Sequence, residues 1–190
     1  MKTKVMEESA RIVEKYNELF LEQYRVWLKD IVFTWQWWFE LIVITALPWV
    51  AWFILRDKEQ THRLLYAGFF VLIIACFLDM VGLCLALWCY PHKLLPFLPQ
   101  YISWDFCAMP VSIMLSIQCT PKIKPWIKAL LYAGIAAFIV QPAAEWMHLY
   151  HPMHWKHWYS FPIIFLIYMG AYCLYSKAGS EWMKSKESKP

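Results

Sequence analysis

Glycine is scarce in this chain, with five among 190 residues. That leaves little material for loops that cradle phosphate, and no nucleophile elbow, P-loop or dinucleotide fingerprint occurs, which argues against soluble-type hydrolase or kinase chemistry. Charge is also sparse, at 17% of residues. The net charge of +4 is not gathered into an arginine-rich face, so no nucleic-acid partner is expected. The six cysteines, Cys76, Cys84, Cys89, Cys107, Cys119 and Cys173, occur singly and without a Cys-x-x-Cys pair. They read as packing residues, with Cys89 and Cys107 the one pair that topology brings near the same membrane face. No cleavable signal peptide is expected, because the first apolar run begins after about thirty polar and mixed residues.

What the chain has in quantity is apolar and aromatic surface: 61% hydrophobic residues, 19% aromatic and 13 tryptophans. With a mean hydropathy of +0.39, this exceeds what an ordinary soluble domain carries. The expected fold is all-α: a polytopic helical membrane bundle of about five transmembrane helices after an amphipathic N-terminal helix. Residues 1–30 form that helix, 31–176 the transmembrane domain and 177–190 a polar tail, loose from Lys184 to Lys189. In 4–28, Val5, Ile12, Tyr16, Leu19, Phe20, Tyr24 and Trp27 recur at helical spacing, with charges of both signs on the other face. This stripe suits the bundle, the membrane surface, a partner protein or a second copy of the chain.

Five runs near the length of about twenty residues needed to cross a bilayer are expected at 33–55, 64–87, 104–120, 126–148 and 159–176. Pro48, Pro110 and Pro142 fall inside them and predict kinks. Tryptophan and tyrosine cluster at the run ends, as an interfacial belt does. Lys and Arg number three, three and four in 56–63, 121–128 and 177–190, against one each in 88–103 and 149–158. That asymmetry places the carboxyl terminus in the cytoplasm, although the amino-terminal helix holds six basic residues on the opposite side.

Four acidic residues, Glu40, Asp79, Asp105 and Glu145, sit in or at the edge of separate apolar runs, and alternating spans put all four in one leaflet. A carboxylate in hydrocarbon must be protonated, paired or hydrated, so four at one depth predict an acidic pocket. Asp79 and Glu40 lie deepest, about 12 and 10 Å inside their spans. Asp105 also suits the first turn of a helix and Glu145 the interface. Small residues Ala75, Cys76, Gly82 and Ala86 surround Asp79 at helical spacing, which turns it toward protein. Trp88, Tyr90 and Trp104 are the candidate aromatic walls.

Histidine is concentrated on the same side. His148, His151, His154 and His157 follow Glu145 at intervals of three, a spacing that on one helical face would form a zinc set. Pro152 interrupts such a helix, and no cofactor is the primary expectation.

The stretches Leu78-Asp79-Met80-Val81-Gly82 and Leu87-Trp88-Cys89-Tyr90-Pro91-His92-Lys93-Leu94, then Pro99 to Pro110 around Asp105, resemble a family of small multi-pass membrane proteins of Bacillus-type and clostridial bacteria. Ala46-Leu47-Pro48-Trp49, Trp146 with Tyr150, and Trp155 to Pro162 fit the same pattern. The resemblance covers most of 35–170 and implies a multi-pass protein of a bacterial cytoplasmic membrane, but no activity. Where that family is expected to carry Glu-Pro, this chain has Gln141-Pro142. A more distant similarity, to small membrane lycopene cyclase domains, implies acid catalysis on an apolar polyene by Asp79, with Glu40 the other candidate. The paired Glu-Glu motifs of that family are absent.

These features favour a non-enzymatic membrane protein that binds a cation or an amphipathic ligand among its carboxylates and aromatics, as an accessory or sensory subunit. The alternative is an enzyme acting on a lipid or isoprenoid. Membrane lipid is the expected neighbour in either case.

Overall fold

In the computed structural model, residues 2–119 and 121–187 are described, with side chains from 3 to 119 and 121 to 179. Helix α1 (Lys2–Val26) opens the chain and ends in a wide π turn, Trp27–Ile31. Phe33 then takes a left-handed conformation, φ 64°. Thr34 caps the next helix by accepting the Trp37 N–H at 3.4 Å. That helix, α2 (Trp35–Leu55), is followed by α3 (Thr61–Cys84), α5 (Pro125–Trp146) and α6 (His157–Glu187). Between them α4 comprises a π segment, Ser103–Ala108, continuing as α-helix Met109–Cys119.

The helices α2, α3 and α5 and the stretch His157–Gly179 of α6 are each long and apolar enough to cross a membrane. This establishes the helical membrane class and refines the five expected spans. The third, expected at 104–120, is a shorter helix with six π and eleven α residues, about 25 Å long. It nevertheless runs beside α2 from one end of the bundle to the other. Ser103 bonds Glu40 near the start of α2, and Gln118 bonds both the Leu55 carbonyl at 2.7 Å and the Asp57 N–H at 2.9 Å at its far end. Lys128 caps α4 from inside the bundle, donating to the Ser116 and Ile117 carbonyls at 3.3 and 3.1 Å, where a cation satisfies the orphaned end of a helix.

The core is a seam of Trp52, Leu64, Val71, Val111, Ile113, Met114 and Tyr168. Small residues let the helices approach: a Cβ on Gly68 would meet Met114 Sδ at 2.6 Å, and one on Gly170 would meet the Phe70 ring at 2.7 Å. Large apolar side chains such as Phe53, Ile54, Phe69, Ile73, Ile139 and Leu166 point outward. In water such a surface drives aggregation; in a bilayer it is the lipid face.

The expected kinks take a specific form. Three π segments, Glu40–Ala46, Ser103–Ala108 and Ala136–Val140, each end two residues before Pro48, Pro110 and Pro142. In each case the residue before the proline donates five positions back, Leu47 to Ile42, Met109 to Trp104 and Gln141 to Ala136. A proline ring collides with the carbonyl four positions earlier, and the wider turn relieves that collision without unwinding the helix.

The expected loose tail is helical as far as Glu187, since α6 meets no proline after Pro162 and only one glycine, Gly179, between 177 and 187. Residues 188–190 lie outside the described residues. Helix α1 does not lie on the bundle: every side chain from Thr3 to Leu19 is exposed. Its anchor is Trp27, whose Nε1 donates to the Lys93 carbonyl at 2.9 Å.

Candidate functional site: a buried carboxyl pair under an aromatic cap

At the end of α3 the Leu87 N–H returns to the Gly82 carbonyl at 2.9 Å, and Ala86 takes φ 52°. This left-handed closure reverses the chain, so Trp88 folds back over the helix it has just left. Gly82 makes the room: a Cβ there would lie 2.1 Å from the Trp88 ring. The same closure recurs after α5, where His148 takes φ 59° and Leu149 N–H returns to Ala144. The two reversals deliver strands β1 (Trp88–Cys89) and β2 (His151–Pro152), which pair antiparallel and close the end of the bundle.

Beneath this cap Asp79 is saturated with donors. Its Oδ1 accepts Trp88 Nε1 at 2.8 Å and the Tyr90 hydroxyl at 2.5 Å, and its Oδ2 accepts the Tyr101 N–H at 3.0 Å. The carboxyl of Asp105 lies against Asp79 within hydrogen-bond reach. Two carboxyl groups in such contact repel when both are ionised, and one shared proton removes that repulsion. Both residues are 5% exposed or less. Rings seal the arrangement: Tyr90 stacks on Tyr101 at 4.7 Å, and Trp88 meets Trp155 edge-on at 5.1 Å.

Glu40 occupies a neighbouring chamber. It is fully buried on α2, where its Oε2 accepts the Ser103 hydroxyl at 3.4 Å and the Tyr101 hydroxyl lies beside its carboxyl. The segment from Tyr101 to Asp105 therefore stands between the two acids, bonding Asp79 on one side and Glu40 on the other. The expected deep pair, Asp79 with Glu40, is not the pair that meets; Asp79 meets Asp105. The wide turn at the start of α4 is the reason, because it carries Asp105 inward to α3 rather than leaving it at the rim.

A cavity of about 110 Å³ adjoins the pair, with Asp79, Asp105, Trp88, Tyr90, Trp104 and Gln141 among its walls. A second space of about 80 Å³ shares Tyr90, Trp104, Gln141 and Tyr150 with it. One wall residue holds a buried acceptor without a partner, Gln141 Oε1. Gln141 is oriented by Ser160, whose Oγ accepts Gln141 Nε2 and Trp155 Nε1, both at 2.9 Å. In the cap itself, burial pushes the hydroxyls of Tyr90, Tyr101 and Tyr150 above the ordinary tyrosine range, and neighbouring carboxylates add to this. Burial also lowers the Lys93 ammonium, opposed by the charge of Asp79.

The remaining candidates are placed elsewhere. Glu145 is 41% exposed and pairs with His157 Nε2 at 2.8 Å. The four histidines do not converge: His151 lies in β2, His154 follows the strand with its N–H on the Leu87 carbonyl, and the His148 carbonyl meets His92 Nδ1. Among the described residues no group of three or more His, Cys, Asp or Glu is arranged to hold a metal ion. Cys89 and Cys107 are both free thiols. Sequence reasoning missed the Tyr101 amide, which no side-chain pattern announces, and Gln141 with Ser160. The Gln141-Pro142 departure was the only available signal for that second pair.

Comparison with family models, with curated proteins and with solved structures finds no match.

Proposed function

We propose that the protein is an integral membrane binding protein whose carboxyl cavity takes a donor-rich cationic head, an ammonium group or a small cation. The observation that carries this reading is the carboxyl pair of Asp79 and Asp105 with the buried, unpartnered Gln141 Oε1 on the walls of one cavity. A buried acceptor left empty costs about 1–3 kcal/mol, which a ligand N–H would recover. An ammonium supplies three donors and a positive charge, and Trp88, Trp104, Tyr90 and Tyr150 are aromatic walls of the same cavity, a setting that favours a cation. The cavity is below the roughly 150 Å³ that holds a benzene ring, which fits a head group rather than a whole molecule.

Orientation follows from the connections. The ends opposite the cavity carry Arg56, Lys58, Arg63, Lys122 and Lys124, which supports a cytoplasmic location there and an outward-facing cavity in a bacterial cytoplasmic membrane. With α4 counted as a fifth crossing, the two termini fall on opposite sides.

The test is ligand-dependent melting of purified protein with alkylamines and with monovalent and divalent cations. Wild type is expected to gain thermal stability with one of them, and Asp105→Asn and Asp79→Asn to lose that gain. An absence of any response in wild type removes the reading. A second reading rests on the carboxyl pair itself: a carboxylic acid walled by aromatics could protonate an apolar lipid or isoprenoid. Lipid extracts of cells with and without the gene separate the two, since identical profiles eliminate the enzyme.

A further inference from the structure

Deeper in the membrane, between α2, α4 and α5, lies an apolar crevice of about 450 Å³. It is built by the kinks: Pro48, Ala108, Ala136 and Val140 on its walls all belong to the three π and proline distortions or their immediate ends. Each widened turn displaces a helix where the wall side chains are small, so the gap stays unfilled. Its two hydroxyls are already occupied. Ser112 Oγ and Tyr132 Oη bond each other at 2.8 Å, and Ser112 donates to the Ala108 carbonyl at 2.6 Å.

Protein interiors are close-packed, and an open void forfeits the contacts of its lining. A crevice about three times the roughly 150 Å³ that holds a benzene ring, set in hydrocarbon, therefore needs an apolar occupant. Its position says which part of a molecule that is. Trp104 and Val140 are walls both of the crevice and of the smaller space beneath the cap, and Trp104 also lines the Asp79 and Asp105 cavity. One indole thus separates a hydrocarbon slot from an acidic chamber.

We infer that the crevice binds one alkyl chain of an amphiphile drawn from the surrounding bilayer, with Trp104 at the junction between that chain and its head. The chain site is new; its extension to a cationic head rests on the proposed function above. The binding surface would then be one continuous row, hydrocarbon slot first and carboxyl pair last. An ordinary annular lipid differs, since it touches only the outer faces of the spans.

The experiment uses the full-length protein in nanodiscs of phosphatidylcholine, which is zwitterionic and carries no net charge, with a chain-spin-labelled alkylamine and the chain-matched fatty acid. Wild type is expected to give a motionally restricted amine signal. Ala51→Phe, which fills a half-buried wall position, is expected to reduce binding at least about tenfold, and Ala108→Leu to do so independently. Equal melting temperatures of the three proteins check that folding is intact. A restricted signal absent in wild type, or unchanged in both wall variants, overturns the chain site. Loss in the wall variants with no effect of Asp105→Asn, and with amine and fatty acid equal, supports the chain site while overturning the cationic-head reading. Loss in the wall variants together with a weakened amine in Asp105→Asn supports both.

Discussion

At the scale of single residues, the site depends on one absent side chain. Trp88 reaches Asp79 only because Gly82 has no Cβ to obstruct it. Gly82→Ala should therefore destabilise the protein by about 1–3 kcal/mol, the usual range for forcing a methyl into a packed interior. Thermal melting in detergent checks this, and the same change in a Trp88→Ala background should cost almost nothing, since the clash is gone. The cap tyrosines give a pH signature. Tyr90, Tyr101 and Tyr150 hold their protons above the ordinary value of 10.0 because burial disfavours the phenolate. The unfolded chain releases these protons first, so their contribution is constant below pH 10 and falls above it, by about 1.4 kcal/mol per pH unit for each hydroxyl. Tyr150→Phe should flatten the alkaline limb of a melting-temperature profile and leave its neutral part in place; an unchanged limb would show that the Tyr150 hydroxyl is not buried. Asp79 itself was legible in the sequence, as a charge without an interfacial excuse. Asp105 was legible as one of the four acids of the expected pocket, but not as the one that meets Asp79, because it also reads as a residue of a first helical turn.

At the scale of elements, prolines were legible as kinks but not as the particular distortion they produce. Sequence shows where the carbonyl four positions back must yield; it does not show whether the helix bends, breaks or widens. The three π turns are the outcome, and two of them hold acids of the site, Glu40 at the start of one and Asp105 within another, so that the Tyr101–Asp105 segment bonds both Asp79 and Glu40. The two left-handed reversals were invisible for another reason: neither carries the glycine that normally marks the position. Ala86 and His148 sit there instead, at φ 52° and 59°. Non-glycine residues pay strain of about 1–2 kcal/mol in this region. His148→Gly should then raise stability by roughly 0.5 kcal/mol after the entropy of glycine in the unfolded chain is counted. His148→Val should lower it, because a branched Cβ fits the left-handed region worst. Chemical or thermal denaturation of the pair of variants decides the matter, and a valine that melts with the glycine form contradicts the reversal.

For the whole molecule, the membrane class and the order of helices followed from the spacing of apolar runs, because length and hydropathy are local properties. The depth of α4 and the independence of α1 were not readable that way, since both depend on what packs against what. Helix α1 has an apolar stripe, yet Val5, Ile12, Tyr16 and Leu19 are all exposed and the bundle is complete without them. Nothing from Thr3 to Val26 covers the core; the first residue that grips the transmembrane domain is Trp27, through the Lys93 carbonyl. A protein lacking residues 1–25 should therefore melt within about 1 kcal/mol of the full chain, in keeping with surface changes that break no buried contact. Trp27→Ala in the full chain should cost more than that deletion, because it removes both an indole contact and a hydrogen bond to the connection that carries Tyr90 and Tyr101 over Asp79. If the deletion instead lowers stability more than Trp27→Ala does, the exposed stripe is packed against the bundle in the working protein, and the cap is held in place by α1 as well as by its own strands.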